Sequence, residues 1–225
     1  MSLRPNIPLT QYRGHVIETP PSVEPVTAAE LRAQLAETAD GLPDAQANAL
    51  IAEARELIEQ MTGLAFITQT WKMALDHWPA GQEQWWDGMR QMAISEIYVP
   101  NSIRAVHLPR YPLQAVDSVS VFDDAGNGAA VTIASVFDID TYRRPGRMVL
   151  RNGATWPIAL RNSNAIEIEY TAGFGANASA VPAILKRAVK QVAAYLHQHY
   201  GDECVPEDAL GAARGLLGAY AVKRI

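Results

Sequence analysis

One stretch of the chain, 165–200, passes from a strand pattern to a helix pattern, and it constrains the fold more than any other segment. Within Ile166–Thr171 apolar and polar side chains alternate, which is the period of a strand buried on one face. Between Pro182 and Gly201 apolar residues recur every three or four positions, which predicts a helix bounded by those two residues. The chain therefore carries a β-region that leads into a late amphipathic helix.

Two further helices are predicted near the N-terminus. Thr27 and Glu30 have the spacing of a capping box, so a first helix covers about 28–38. Pro43 can open a second helix, which Gly63 ends. The apolar stripe of this second helix comprises Leu50, Ile51, Ala54, Leu57, Ile58 and Met61.

The middle of the chain has the sequence pattern of antiparallel strands, and a helix is predicted again at its end. Strands are predicted at about 66–75, 103–108, 116–122, 131–140 and 147–151, and a last helix at about 206–220. We expect an α+β fold in which the terminal helices pack as a small bundle, with an antiparallel β-region inserted between the helix pairs. The expected organisation is an extended, proline-rich arm over 1–25 and a single domain over 26–225, with helices at about 26–62 and 181–220 and a β-rich insert at about 66–175.

Size, charge and cysteine content exclude several classes of protein. The chain has 225 residues, of which 48% are hydrophobic, enough for a proper core. It contains no apolar run long enough to cross a bilayer and its start lacks the apolar core of a signal peptide, so we expect synthesis in the cytoplasm and no membrane contact. The single cysteine, Cys204, excludes an internal disulfide framework. A formal net charge of -5 argues against a surface that grips nucleic acid.

Catalytic and metal-binding patterns are weak. His197 and His199 do not have the spacing of a helical metal pair, and neither a phosphate-binding loop nor a nucleophile elbow occurs in the sequence. The amides of Gly173–Gly175 could hold an anion at a helix terminus, but a loop that ends the strand is the favoured interpretation. We predict no catalytic residue, no metal and no cofactor.

The tryptophan segment around Trp85 and Trp86 leaves two alternatives open. Beside Glu83 and Asp87, the two indoles could stack a sugar ring over paired carboxylates, as in a glycan-binding or glycan-cleaving module. Tryptophans near the tip of a β-insert also serve as anchors at protein interfaces. We favour the second alternative and predict an interface insert at Trp85, Trp86 and Asp87.

Several short motifs, taken in their order and spacing, resemble the head-tail connector, or adaptor, family of tailed bacteriophages. The resemblance covers about 24–225, and the segment around Trp85 and Trp86 is further similar to the adaptors of gene transfer agents. The motifs are Phe66–Trp71, Leu108–Val119, Pro145–Leu150, Trp156–Pro157, Tyr170–Gly175, Val181–Pro182 and Leu216–Tyr220.

This resemblance implies a structural virion protein of the particle neck, with no enzymatic activity. Family members assemble as a ring, usually a dodecamer, beneath the portal and seat the next component, a stopper or tail-completion protein. DNA would pass through the lumen without tight binding. A stopper or tail-completion protein is itself the alternative within this class. The resemblance implies that the C-terminal segment docks into the portal, through Leu216, Leu217, Tyr220, Lys223 and Arg224.

The last helix departs from an ideal sequence. Gly211, Gly215 and Gly218 each cost about 1 kcal/mol in a helix interior relative to alanine. We therefore expect this helix to fray in the free subunit, to order on docking, and to place Leu217 and Tyr220 outside the main core. Basic residues of the long helix, Lys186, Arg187 and Lys190, would then meet a neighbouring subunit, an acidic portal surface or solvent.

Overall fold

The structure is a computed structural model that describes residues 14–38, 41–79, 105–158, 161–200, 206–211, 213–218 and 220. Where we expected one domain after the arm, the chain divides into two compact units that alternate along the sequence. The first comprises Met1–Glu18, Thr70–Leu108 and Ala115–Thr171, and the second comprises Thr19–Gln69, Pro109–Gln114 and Ala172–Ile225.

Within the β-rich region expected at about 66–175, one short segment belongs to the second unit. Residues 109–114 belong to the second unit. The backbone of Tyr111 explains this, because its carbonyl accepts from the Ala65 N–H at 2.8 Å and its N–H donates to the Gly63 carbonyl at 3.2 Å.

Helix α1 (Ala28–Leu35) opens the second unit with the predicted capping box. The Thr27 hydroxyl accepts from the Glu30 N–H at 3.2 Å, and the Glu30 carboxylate accepts from the Thr27 N–H at 2.8 Å. These bonds satisfy two amides that have no partner inside a helix. The helix ends before residue 38 because Ala36 adopts a left-handed conformation with φ 58°.

Helix α2 (Asp44–Thr62) begins after Pro43 and ends at Gly63, as predicted. Gly63 has φ 79°, a conformation that glycine adopts without steric cost. Most of the predicted stripe is buried, but Met61 is exposed, because the buried face of the last turn passes instead through Glu59 and Thr62.

Helix α4 (Ala183–Gln198) packs against both α1 and α2. Its buried face includes Leu185, Val189 and Val192, which join Ile51 and Ile58 of α2 in one hydrophobic core. The predicted packing of the long helix on the second helix is confirmed. Two short helices, α5 (Pro206–Gly211) and α6 (Arg214–Leu217), complete this unit.

The joint between the last strand and α4 is built on one glycine. Gly173 has φ 142°, and a Cβ there would lie 2.7 Å from backbone atoms of Ile67 and Thr68. Its N–H donates to the Pro112 carbonyl and the Phe174 N–H donates to the Phe66 carbonyl. These amides are occupied by the chain itself, which favours the predicted loop over an anion site.

In the part of the chain that the structure describes, the strands form two sheets, and their pairings of known register are antiparallel. The strands are β1 (Gly14–Thr19), β2 (Gln69–Leu75), β3 (Ala105–His107), β4 (Leu113–Phe122), β5 (Gly128–Ala130), β6 (Phe137–Asp140), β7 (Arg147–Leu150) and β8 (Ile166–Ala172). The larger sheet has the order β1-β2-β8-β4-β5, and the smaller has the order β3-β7-β6. The predicted α+β class is confirmed.

Strand β1 corrects the expectation of an unpacked arm over 1–25. It forms an edge of the larger sheet, and His15 stacks on Trp71 with ring centroids 4.4 Å apart. The His15 Nε2 and Tyr170 Oη atoms lie 2.6 Å apart. These contacts hold a segment that we had predicted, from the prolines around it, to be an extended arm. Residues Met1–Arg13 lie outside the described residues.

The predicted strand over 131–140 is a second correction. Its first half forms a helical turn, α3 (Ile133–Val136), and only β6 is extended. The Ser135 N–H and hydroxyl both bond the Thr132 carbonyl, at 3.1 and 2.9 Å, so a local bond competes with strand pairing.

Aromatic rings fill part of the interior of the first unit. Trp78 stacks on Trp156 with centroids 4.9 Å apart, and Phe137 lies 5.7 Å from Trp78. The Trp78 indole N–H donates to the Pro157 carbonyl at 2.7 Å, which satisfies its polar atom on burial. The motif at Trp156–Pro157 is therefore part of the packing of this unit.

The packing of α4 on α2 can be tested with neighbouring residues of opposite burial. Leu185→Ala removes a fully buried side chain and should lower the free energy of unfolding by about 2 to 5 kcal/mol. Ile184→Ala, at a position 38% exposed, should change it by less than about 1 kcal/mol. Urea denaturation measures both, and equal losses would contradict the assigned helix face.

The close approach at Gly173 predicts that no side chain is tolerated there. Gly173→Ala should lower the free energy of unfolding by about 2 to 6 kcal/mol, through backbone strain and a steric clash together. Gly153→Ala is the matched control, because Gly153 also has positive φ, 81°, but faces open space, so only a strain of about 1 to 2 kcal/mol applies. Thermal unfolding of both variants separates the two contributions.

Candidate interface at the terminal segment

The predicted last helix is broken into two short helices. We expected one helix over 206–220, whereas α5 and α6 are separated at Ala213. A glycine in a helix interior costs about 1 kcal/mol relative to alanine, which disfavours one continuous helix here. We call residues 206–220 the terminal segment.

One side of the terminal segment is buried in the core of its own unit. Ala209, Ala213 and Leu217 recur every fourth residue and are at most 1% exposed. They join the core that α2 and α4 form, while Leu216 and Tyr220 pack against it and stay partly exposed. The expectation that Leu217 lies outside the main core is wrong, because tertiary contacts compensate for the low helix propensity.

The opposite side of the terminal segment faces solvent. Asp208, Arg214 and three glycines are exposed there, and a Cβ at Gly211 or Gly215 would meet nothing within 4 Å. Internal packing therefore does not require glycine at these two positions. The glycines leave a backbone surface that another protein could approach closely.

Tyr111 fastens the end of the terminal segment to the end of α2. Its hydroxyl lies within hydrogen-bond reach of the Thr62 carbonyl and, at 3.2 Å, of the Tyr220 carbonyl. A phenol has one proton to donate, so the two carbonyls share it. The position of residue 220 thus depends on a side chain more than a hundred residues earlier.

A buried carboxylate holds the loop that presents Tyr111. Oε1 of Glu59 accepts from the Phe66 N–H at 2.7 Å and from Gln69 Nε2 at 2.8 Å, and Oε2 accepts from Arg55 Nη1 at 2.9 Å. Arg110 Nη1 donates to the Glu59 backbone carbonyl at 2.7 Å. This cluster ties α2 to residues 66–69 and to the segment 109–114.

The Glu59 cluster has the character of a structural group. Burial raises the pKa of Glu59, and the hydrogen bond from Phe66 and the charge of Arg55 oppose that rise. Both carboxylate oxygens already accept hydrogen bonds from the chain. Sequence analysis missed the cluster, although Arg55 and Glu59 have the i, i+4 spacing of an ion pair on the buried side of α2.

The predicted site residues fall into two groups. Leu216, Leu217 and Tyr220 lie together in the terminal segment. The predicted docking residues Lys223 and Arg224, and the predicted interface insert at Trp85, Trp86 and Asp87, lie outside the described residues.

The basic residues of α4 differ in how far they are exposed. Lys186 and Lys190 are half-buried and lie near Glu30 of α1, where they add to the effect of the Thr27 hydrogen bonds in lowering the pKa of Glu30. Arg187 is exposed beside Ile184. The exposed surface of α4 around Arg187 is a second candidate interface.

Within the described ranges, the side chains offer no group of three or more histidine, cysteine, aspartate or glutamate residues that could hold a metal ion. His199 Nδ1 is 2.9 Å from the Tyr195 carbonyl oxygen and its ring stacks on Tyr195, so its environment is that of a packed helix end. None of the helices in the described part of the chain is both long and apolar enough to cross a bilayer.

Neither a family model nor a curated protein sequence matches the chain. Solved structures do match it. A chain from the neck of an empty gene transfer agent particle, computed with C6 symmetry, has 24% identity and a TM-score of 0.70, with 94% of this chain and 97% of that chain covered. A chain from the virion of a native gene transfer agent particle has 23% identity and a TM-score of 0.69, with coverages of 94% and 96%. A third, from the neck of a native particle computed with C12 symmetry, has 24% identity, a TM-score of 0.63 and coverages of 93% and 97%.

The likeness extends over nearly the whole of both chains. At this level of identity it establishes a common fold. The expectation from the sequence motifs is therefore confirmed at the level of the fold: the chain shares its fold with chains of gene transfer agent particles.

Proposed function

We propose that the protein is a structural subunit of the neck of a phage-like particle of the gene transfer agent type, where it acts as the head-tail adaptor. The observation that carries this proposal is the fold shared with a chain from such a neck, at a TM-score of 0.70 over 94% of this chain. Because unrelated functions can use one fold, the proposal also depends on the surfaces that the chain presents.

The polar groups of the interior support a structural role. The buried carboxylate of Glu59 uses its hydrogen bonds to join parts of its own unit, and its side chain is only 6% exposed. A catalytic carboxylate must reach a substrate from a cleft. In the proposed function the protein acts by assembling with other neck proteins, without a catalytic role or a cofactor.

The terminal segment is the proposed docking surface for the portal. Its inner side is anchored by Leu217, so the outer side with Arg214 and the exposed glycines is available to a partner. Leu216 and Tyr220 are partly exposed at its margins. Lys223 and Arg224, which the proposal also assigns to docking, lie outside the described residues.

The proposed assembly is a ring of copies of the chain around the DNA channel, seated beneath the portal and above a stopper or tail-completion protein. The similar chains come from necks computed with C6 and C12 symmetry. A net charge of -5 gives the chain no general attraction for phosphates. Passing DNA would therefore meet a wall that does not bind it tightly.

Deletion of the gene from a strain that produces the particles tests the proposed function. We expect heads that lack tails, and restoration of tailed particles by the wild-type gene supplied in trans. Electron microscopy of purified particles measures the tailed fraction. Normal tailed particles from the deletion strain would overturn the proposed function.

Direct binding to purified portal rings tests the docking surface and separates an adaptor from a stopper, which would need another neck protein first. Arg214→Glu should leave the circular dichroism spectrum unchanged and weaken co-sedimentation with portal at least tenfold. Leu217→Asp should lower the free energy of unfolding by about 3 to 5 kcal/mol, because it removes a buried leucine and buries a charge.

Arg143→Glu is the matched control, since Arg143 is also exposed but lies in the other unit. Its binding to portal should equal that of the wild type. If Arg214→Glu and the pair Lys223→Glu and Arg224→Glu all bind normally, the terminal segment is not the docking surface.

A further inference from the structure

The outer face of the larger sheet carries an excess of negative charge. Trp71 and Tyr170 both contact His15 on the buried face, so the residues that alternate with them point to the outer face. We call the four carboxylates of this face, Glu18, Asp117, Glu167 and Glu169, the acidic sheet face.

Hydrogen bonds and an ion pair link three of these carboxylates to neighbouring strands of the sheet. The Thr171 hydroxyl of β8 donates to Asp117 of β4 at 2.7 Å, and the Ser118 hydroxyl of β4 donates to Glu169 of β8 at 3.3 Å. Glu18 of β1 lies 3.5 Å from Lys72 of β2. Four carboxylates against one ammonium leave a net charge of -3 on this face.

The basic residues of α4 carry the opposite charge, with Arg187 exposed and the two lysines half-buried. Lys186, Arg187 and Lys190 contribute three positive charges, and Glu30 of α1 balances one of them. Arg187 forms no ion pair with a described carboxylate, and its neighbour one turn away, Ile184, exposes 38% of its surface. We call Ile184, Lys186, Arg187 and Lys190 the basic helix face.

A ring of identical subunits requires each subunit to have two surfaces that bind each other. In a closed cyclic assembly, each copy meets the next through two different surfaces, which must be complementary to each other. Complementary charge steers such encounters and disfavours wrong pairings, and an apolar residue at the centre adds burial. The acidic sheet face and the basic helix face belong to different elements and are opposite in charge.

We propose that the basic helix face of one copy docks on the acidic sheet face of the next copy, with Arg187 meeting Glu167 or Glu169. This inference rests on the proposed function, because it names the contact that closes the proposed ring. Its occupant is a second copy of this chain, chosen because the two faces have net charges of opposite sign.

A charge-reversal cycle in the deletion strain tests the contact. Arg187→Glu alone and Glu167→Lys alone should each reduce the tailed fraction of particles at least tenfold. The two reversals combined in one chain should restore it to within about threefold of wild type, because every copy then carries both exchanged faces. Glu53→Lys, a reversal on an exposed position of α2, and Arg143→Glu should have no effect.

The outcomes separate the contact from other roles of the same residues. If the double reversal stays as defective as the single ones, as expected were α4 to contact DNA or portal, the proposed contact is overturned. It is equally overturned if the single reversals assemble normally. Circular dichroism and thermal unfolding of each purified variant identify loss of fold, and Arg187→Gln with Glu167→Gln replaces any variant that does not fold.

A cross-link gives a readout that does not depend on tails. With Cys204→Ser as background, Arg187→Cys and Glu167→Cys in one chain should form a ladder of disulfide-linked oligomers in concentrated purified protein, and either cysteine alone should give at most a dimer. Absence of the ladder overturns the contact. Persistence of tails in the deletion strain overturns only the proposed function.

Discussion

The buried carboxylate of Glu59 is the interaction on which the helical unit depends. It binds Arg55 on its own helix and the amides of Phe66 and Gln69 beyond the helix end, while its backbone carbonyl accepts from Arg110. Removing one partner of such a pair leaves an uncompensated buried charge, which typically costs 3 to 5 kcal/mol. The cluster thereby fixes the loop that carries Tyr111, and through Tyr111 the end of the terminal segment.

A subunit that acts by assembly needs surfaces held at fixed positions more than it needs a cleft. The terminal segment is held by Leu217 inside and by Tyr111 at its end, and it leaves a glycine-rich outer side. The larger sheet is held by the stacking of His15 on Trp71, and it leaves a charged outer face. In both cases the contacts that hold the element lie on its inner side, so the exposed side is free to vary in charge and shape.

The fold of this chain is constrained by a few features that it cannot change freely. Gly173 allows two backbone segments to approach within a distance that excludes any Cβ. The capping box of α1 and the glycine at the end of α2 fix the helix pair. Many apolar side chains of suitable size can fill the core between these points, because cores tolerate substitution when volume and pattern are kept.

The sequence by itself determined the elements whose causes are local. The helix starts at Thr27 and Pro43, the stop at Gly63 and the alternation in β8 depend on residues within one turn or strand. These local signals, with the order of the motifs, were sufficient to predict the α+β class and the fold of the adaptor resemblance.

Tertiary structure alone decided three other features. Strand β1 is held in place by the contacts of His15 with Trp71 and Tyr170. The terminal segment is held by the packing of Leu217 in the core of α2 and α4. Glu59 can be buried because Gln69 and Phe66 donate hydrogen bonds to its carboxylate. Each depends on partners distant in sequence or beyond the element itself, and a local pattern carries no information about whether such partners meet.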